Sequence, residues 1–190
     1  MAASVDIISG GRLELGMGAG WIEQDFDICG IPFPKPGVRI AQMEEAIKIV
    51  KMMWTGQNPN FRGKHYRIEE ARCPKPIQQP PPPIMVGGEG EKLTLKVVAK
   101  CADICNLPHT TVEQTQRKLE VLRKHCIKVG RDPRQIENSW FGIALVSDET
   151  KELEEGMETL HRLAPDRYSD PANTRAKTIT GSSEQCINRI

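Results

Sequence analysis

Two glycine-rich turns carry the residue types that could do chemistry in this chain. The first, Gly16-Met17-Gly18-Ala19-Gly20-Trp21, ends the apolar stretch RLELGMG; the second, Val86-Gly87-Gly88-Glu89-Gly90-Glu91, follows the run of prolines from Pro80 to Pro83. Glycines at a strand end let backbone N–H groups approach an anion closely, so both turns are candidate phosphate or nucleotide sites. The first fails as a dinucleotide loop: G-x-G-x-x-G needs a third glycine for close helix-strand packing, and Trp21 stands there. It also fails as a P-loop, because no Gly-Lys-Ser/Thr follows. The second turn is the better anion site, since Gly87, Gly88 and Gly90 lead into a helical segment whose N-terminal dipole favours negative charge. From pattern alone, a tight strand-to-helix connection explains these glycines equally well. Glu89 and Glu91, themselves anionic, either cap the helix and face solvent or weaken phosphate binding.

A chain of 190 residues with 38% hydrophobic and 27% charged side chains and a net charge of +1 is that of a globular protein. Nothing in that balance favours nucleic acid or an anionic membrane surface. No apolar run reaches the roughly 18 residues of a membrane span, and the N-terminus lacks the basic start and apolar core of a signal peptide, so a cytoplasmic protein is expected. Six cysteines occur without a C-x-x-C. Reduced, mostly buried thiols are the expectation, with a zinc site at Cys101, Cys105 and His109 the weaker alternative.

Short apolar stretches alternate with helical ones, the pattern of an α/β protein with a parallel sheet. RLELGMG reads as a strand. The helix beyond IPFPKPG carries Ile40, Met43, Ile47, Val50 and Trp54 on one face and ends at Gly56. NFRGKHYRI reads as an inserted β-hairpin near 60–68, with Arg62-Gly63-Lys64 at the turn and Phe61, Tyr66 and Ile68 packing. The prolines force an extended path into a strand at 84–86. A helix with Leu93, Val97 and Cys101 inward, a strand at ADICNL, and a helix buried through Val112, Leu119, Leu122, Cys126 and Val129 follow. That last helix opens with a Thr110/Glu113 capping box and closes at Gly130. NSWFGIALV reads as one strand, Asp148 or a neighbour caps a helix with Leu153, Met157 and Leu160 that stops before Pro165, and TITGSSEQCINRI reads as a strand and a helix begun. About five strands among helices fit either an open doubly wound sheet or a closed (β/α)8 barrel.

The linked stretches SGGRLELGMGAGW, GIPFP, FRGKHYRI, CPKPIQQPPPPIMVGG and ADICNL, in this order, resemble the luciferase-like monooxygenase superfamily, and within it the oxidoreductases that use the deazaflavin coenzyme F-420. The resemblance implies an α/β fold of (β/α)8 TIM-barrel type, a single partial domain over residues 1–190. RLELGMG is then about the fourth strand, strands 4 to 8 are present and strands 1 to 3 missing. The last helix is cut short, so the chain resembles a fragment truncated at both ends of a protein of roughly 250 residues or more. Unpaired sheet edges would then favour a homodimer or other self-association.

The same resemblance implies a site at the C-terminal strand ends. Gly18, Ala19, Gly20 and Trp21 would border a flat tricyclic ring with Glu23 and Gln24 near its polar edge, while Gly87, Gly88 and Gly90 would hold the phosphate. Asn106 would bond ring or ribityl oxygens, and His109 would face a small-molecule substrate. For Gly18, Gly20 and Trp21 the bland reading is relief of crowding, with Trp21 and Phe26 packed under the next loop. His65, His125 and His161 receive no role. Coenzyme F-420 (8-hydroxy-5-deazaflavin) would supply hydride chemistry, with FMN the alternative cofactor of a monooxygenase on the same fold. A non-catalytic, cofactor-free protein is the third reading. No catalytic residue is assigned, because a general acid is expected after one of the first three strands.

Overall fold

The computed structural model describes residues 1–56, 58–164, 168 and 170–188. They fall into two compact units, one of Met1–Asn106 with Lys118–Ser139, the other of Leu107–Arg117 with Trp140–Ile190.

The first unit is built on a sheet in the order β1 (Leu15–Met17), β4 (Ile84–Gly87), β5 (Ile104–Pro108), β6 (Glu137–Phe141), the last residues of β5 and β6 belonging to the second unit. β1 and β4 pair in parallel with Met17 opposite Val86, and β4 and β5 in parallel with Gly87 opposite Asn106. Parallel pairing requires crossovers, and the helices supply them. α1 (Ala2–Ser9) precedes β1; α2 (Glu23–Ile28) and the long α3 (Pro36–Thr55) lie between β1 and β4; α4 (Thr94–Cys101) joins β4 to β5, and α5 (Val112–Lys128) follows β5. Ile47, Ile84, Val86, Leu95, Val98, Cys105 and Cys126 are fully enclosed. Each large apolar side chain so buried contributes roughly 1.5–3 kcal/mol.

Polar pins close this unit where the chain is extended. The buried carboxylate of Asp6 accepts from the backbone N–H of Ile77 (2.8 Å) and Gln78 (3.1 Å) and from the Gln78 amide (2.6 Å), tying α1 to the segment before the prolines. Burial pushes this carboxyl up, but the donors from Gln78 and Ile77 together outweigh it and hold it below its ordinary value. The hairpin is present as β2 (Phe61–Arg62) and β3 (Arg67–Ile68), its turn bound by the Glu45 carboxylate to the amides of Lys64, His65 and Tyr66.

The second unit contains β7 (Ile143–Val146), α6 (Thr150–Leu163), α7 (Pro171–Ala176), β8 (Thr178–Gly181) and α8 (Ser183–Ile187), with β7 and β8 parallel. α8 carries a capping box between Ser182 and Gln185. Pro165, expected to stop α6, lies outside the described residues.

Several expectations are corrected. NSWFGIALV is two strands: a Cβ at Gly142 would stand 1.9 Å from the Trp140 ring, so the chain bends where that ring lies over it. The capping box of α5 is Thr111 with Gln114, whose amides and side chains bond reciprocally (3.2 and 3.1 Å); Thr110 instead shares a hydroxyl bond with Thr115. Tyr66, Leu93, Val112 and Val129 are exposed, because each sits at a turn or helix end beyond the reach of the core. Residues 23–28, which the sequence reading did not assign to a helix, form α2.

Candidate functional site

The parallel register brings the two glycine turns to the same end of the sheet. β1 leaves the sheet at Met17 and β4 at Gly87, so Gly18–Trp21 and Gly87–Gly90 emerge side by side, with Asn106 of β5 next in line. A Cβ on Gly18 would lie 4.0 Å from the Gly87 carbonyl oxygen, and one on Gly87 would lie 3.9 Å from Asn106 Oδ1. The Gly88 N–H donates to the Asn106 carbonyl (3.1 Å), prolonging the β4-β5 ladder by one bond, and the Asn106 amide donates to Ser139 Oγ (2.9 Å). Asn106 is therefore oriented from both sides.

The second turn is built for backbone approach. Gly88 has φ +134°, a conformation that side-chain-bearing residues rarely adopt. A Cβ on Gly90 would stand 2.8 Å from Thr94 Oγ. The turn delivers the chain to α4, whose N-cap residue Leu93 gives no side-chain cap, and the Leu95 N–H of the first turn donates to the Gly90 carbonyl (3.0 Å). A glycine turn that leads into a helix N-terminus suits an anion. Since the Gly88 N–H serves the sheet, that glycine acts through its backbone angle rather than as a donor.

The two carboxylates of the turn have a specific partner. Lys118 of α5, with a side chain only 9% exposed, donates to the Glu89 carbonyl (3.0 Å) and lies 3.4 Å from the Glu89 carboxylate and 3.6 Å from that of Glu91. About two turns further along α5, His125 Nε2 bonds the Glu91 carbonyl (2.8 Å).

The first turn is held from α3. The buried guanidinium of Arg39 donates to the carbonyls of Ala19 and Gly20 (3.3 Å each) and of Pro34, and stacks 3.8 Å from the centre of the Phe33 ring. Phe33 meets Phe26 edge-on at 4.9 Å. Gly20 has φ +73°, and a Cβ there would stand 2.6 Å from the Phe26 ring. Phe26 thus packs under this loop, whereas Trp21 is 69% exposed beside the strand end. Gln24 lies exposed on α2.

His109 belongs to the second unit. Its backbone has φ +50°, its N–H donates to the Phe141 carbonyl (2.7 Å), and its ring meets Phe141 edge-on at 5.3 Å. That unit also holds a cleft of about 300 Å³ lined by residues that include Thr110, Val112, Trp140 and Ile179. Cys101 and Cys105 are buried thiols pushed up to about 11 by desolvation, and Cys101 donates to the Val97 carbonyl.

Arg39, Lys118 and His125 were missed as site residues, yet their spacing marks them. Arg39, Met43 and Ile47 recur every fourth residue, as do Lys118, Leu122 and Cys126, and His125 lies seven after Lys118. A charged residue on a buried helical stripe must find partners.

Comparison with known proteins bears on the family and the fold. The sequence profile of the luciferase-like monooxygenases matches residues 1–190. The chain is 28% identical over 135 residues to the FMNH2-dependent dimethylsulfone monooxygenase of Pseudomonas putida, covering 67% of this chain and 37% of that protein. It is 27% identical over 196 aligned positions to the F420-dependent glucose-6-phosphate dehydrogenase of Amycolatopsis mediterranei, covering 91% and 58%. The chain thus spans between about a third and three fifths of these relatives. Among solved structures, an F420-dependent secondary alcohol dehydrogenase aligns with a TM-score of 0.82 at 19% identity, over 98% of this chain and 62% of the other. The F420-dependent tetrahydromethanopterin reductase of Methanopyrus kandleri aligns with a TM-score of 0.78 at 16% identity, over 99% and 67%. The structural matches show the fold, an α/β arrangement with a parallel sheet that forms part of a luciferase-like barrel. With the profile match running the full 190 residues, the chain belongs to the luciferase-like monooxygenase family.

Proposed function

We propose that this chain provides the cofactor-binding portion of an oxidoreductase that uses coenzyme F-420 to reduce or oxidise a small organic substrate. The observation that carries this reading is the convergence of Gly18–Trp21, Gly87–Gly90 and Asn106 at one end of three adjacent parallel strands. The turn at Gly87–Gly90 fits a phosphate, because its glycines carry the backbone closely past Thr94 into the N-terminus of α4, which lacks a side-chain cap. The other turn fits a flat ring, since it offers a backbone edge fixed by Arg39 and an exposed indole at Trp21. A bound reduced deazaflavin supplies a hydride from its C5.

The residues present bind, orient and exclude water rather than move protons. Gly87–Gly90 and the N-terminus of α4 would hold the phosphate. Asn106, already fixed by Ser139 and by its ladder bond to Gly88, would present a polar edge to the ring or its ribityl chain with little loss of freedom. Trp21 would shield one side of the ring from solvent. His109 remains a candidate contact to substrate. The six free cysteines support a reducing, cytoplasmic setting.

F-420 is preferred because the similarity to the F420-dependent dehydrogenase of A. mediterranei extends over 91% of the chain. FMN is the second reading, favoured by the likeness to the P. putida monooxygenase. Titration of the protein with F-420 and with FMN, followed by absorbance and fluorescence, tests both. Saturable, tighter binding of F-420 is expected. The reverse order transfers the assignment to FMN, and absence of binding to either leaves a cofactor-free protein.

A further inference from the structure

We propose that Arg39 is a positioning residue that turns the backbone N–H of Gly20 outward, as a hydrogen-bond donor to an oxygen on the polar edge of the cofactor ring; this rests on the cofactor reading above. The guanidinium of Arg39 is buried on α3, and its Nε donates to two successive carbonyls, those of Ala19 and Gly20, at 3.3 Å each. The peptide bonds on both sides of Gly20 are trans, so each peptide plane carries its N–H opposite its C=O. With the Ala19 carbonyl held against α3, the Gly20 N–H of the same plane faces away from that helix. Gly20 is exposed, and its N–H finds no acceptor among the described residues.

Two further contacts hold that orientation. Gly20 has φ +73°, and a Cβ there would stand 2.6 Å from the Phe26 ring, so glycine is what lets the plane turn this way over the ring. Phe26 meets Phe33 edge-on at 4.9 Å, and the Arg39 guanidinium lies over Phe33 at 3.8 Å, which closes a circuit of contacts from Arg39 through both rings back to Gly20. Charge adds to geometry. The partners of Arg39 are the carbonyls of Ala19, Gly20 and Pro34 and the Phe33 ring, and among the described residues no carboxylate pairs with it. Its charge therefore polarises the peptides that it holds and makes the Gly20 N–H a stronger donor. A deazaflavin or flavin ring offers carbonyl oxygens on its pyrimidine edge as acceptors, and a donor to that edge acts on the ring whether or not the ligand carries a phosphate.

Two ligands, coenzyme F-420 and 8-hydroxy-5-deazariboflavin, which keeps the ring and ribityl chain without the phosphate, are titrated for affinity, and NMR of the isotope-labelled chain at saturating ligand reads the Gly20 amide itself. In the wild-type chain the Gly20 N–H is expected to exchange more slowly with solvent once either ligand is bound. Arg39→Met should lose that protection at saturating ligand while the Gly88 N–H keeps its own through the Asn106 carbonyl, and should weaken both ligands by the same factor, about 2- to 10-fold, the worth of one hydrogen bond. Met43→Ala removes a buried side chain one turn along the same face of α3; it controls for lost stability and should leave the protection and the affinity per folded molecule as in wild type. A wild-type Gly20 N–H that ligand leaves unprotected overturns the proposal. So does Arg39→Met with protection or affinity unchanged, a loss confined to F-420, or Met43→Ala behaving as Arg39→Met does. Should Arg39→Met not fold, Gly20→Ala decides: loss of protection at that amide with equal loss on both ligands supports the proposal, and wild-type protection or affinity overturns it. A wild-type chain that binds neither ligand overturns the cofactor reading and this proposal with it, an outcome distinct from a chain that binds both and leaves the Gly20 N–H unprotected.

Discussion

Replacing Gly88 with alanine tests whether the second turn owes its shape to backbone freedom. At φ +134° an L side chain is strained by about 1–3 kcal/mol. The added Cβ would also meet Thr94 Cγ2 at 3.2 Å, tighter than ordinary contact. That energy has two destinations. If the turn keeps its conformation, the strain is carried by the folded state and appears as lost stability, about 2–12 °C in Tm at roughly 2–4 °C per kcal/mol for a chain of this size. If the turn relaxes, the Gly88 N–H leaves the Asn106 carbonyl, the fold is largely spared, and cofactor binding must restore the strained form. Affinity then falls by the same energy, about 5- to 150-fold. Thermal unfolding by circular dichroism and cofactor titration on one preparation measure both, and the two losses together should account for the strain. Gly16→Ala is the control, because a Cβ there meets nothing within 4 Å and the backbone angle is ordinary. Gly88→Ala with both Tm and affinity unchanged refutes the assignment of strain at this turn.

Other consequences follow from the same contacts. Arg39→Met, which keeps the aliphatic stem but leaves the carbonyls of Ala19, Gly20 and Pro34 without their donor, should cost about 2–4 kcal/mol by urea unfolding; Arg39→Lys should recover little, lacking the planar fork. Asp6 has a carboxyl held below its ordinary value in the folded state, so its stabilisation is complete above the unfolded value, about 3.9, and is lost as pH falls through the lower folded value. Asp6→Asn should therefore lower the urea midpoint at pH 7 and flatten its fall below about pH 4; parallel curves for the two proteins would count against the pin. Cys101 and Cys105, buried and raised to about 11, should resist thiol reagents in the native protein, while the exposed Cys29 reacts at once. Mass mapping of the alkylated sites distinguishes the two classes, and early labelling of Cys105 would contradict its burial.

The sequence by itself determined the order of strands and helices, the extended proline segment, the hairpin, the position of both glycine turns at strand ends and the family. These depend on local periodicity and on glycine and proline, whose effects act within a few residues. It did not place the break at Gly142, because nothing local announces that the Trp140 ring will lie over that residue. It did not separate Thr110 from Thr111 as the cap, since the two alternatives differ by one residue and the choice is made where β5 releases the chain. Arg39 and Lys118 were visible as charges on buried stripes, but their partners lie 19 and 29 residues away, at carbonyls on other elements. Only tertiary structure decided that, through the parallel register that sets Met17 beside Val86 and Gly87 beside Asn106. Register fixes which strand ends are neighbours, and neighbouring strand ends turn two separate glycine motifs into one candidate site.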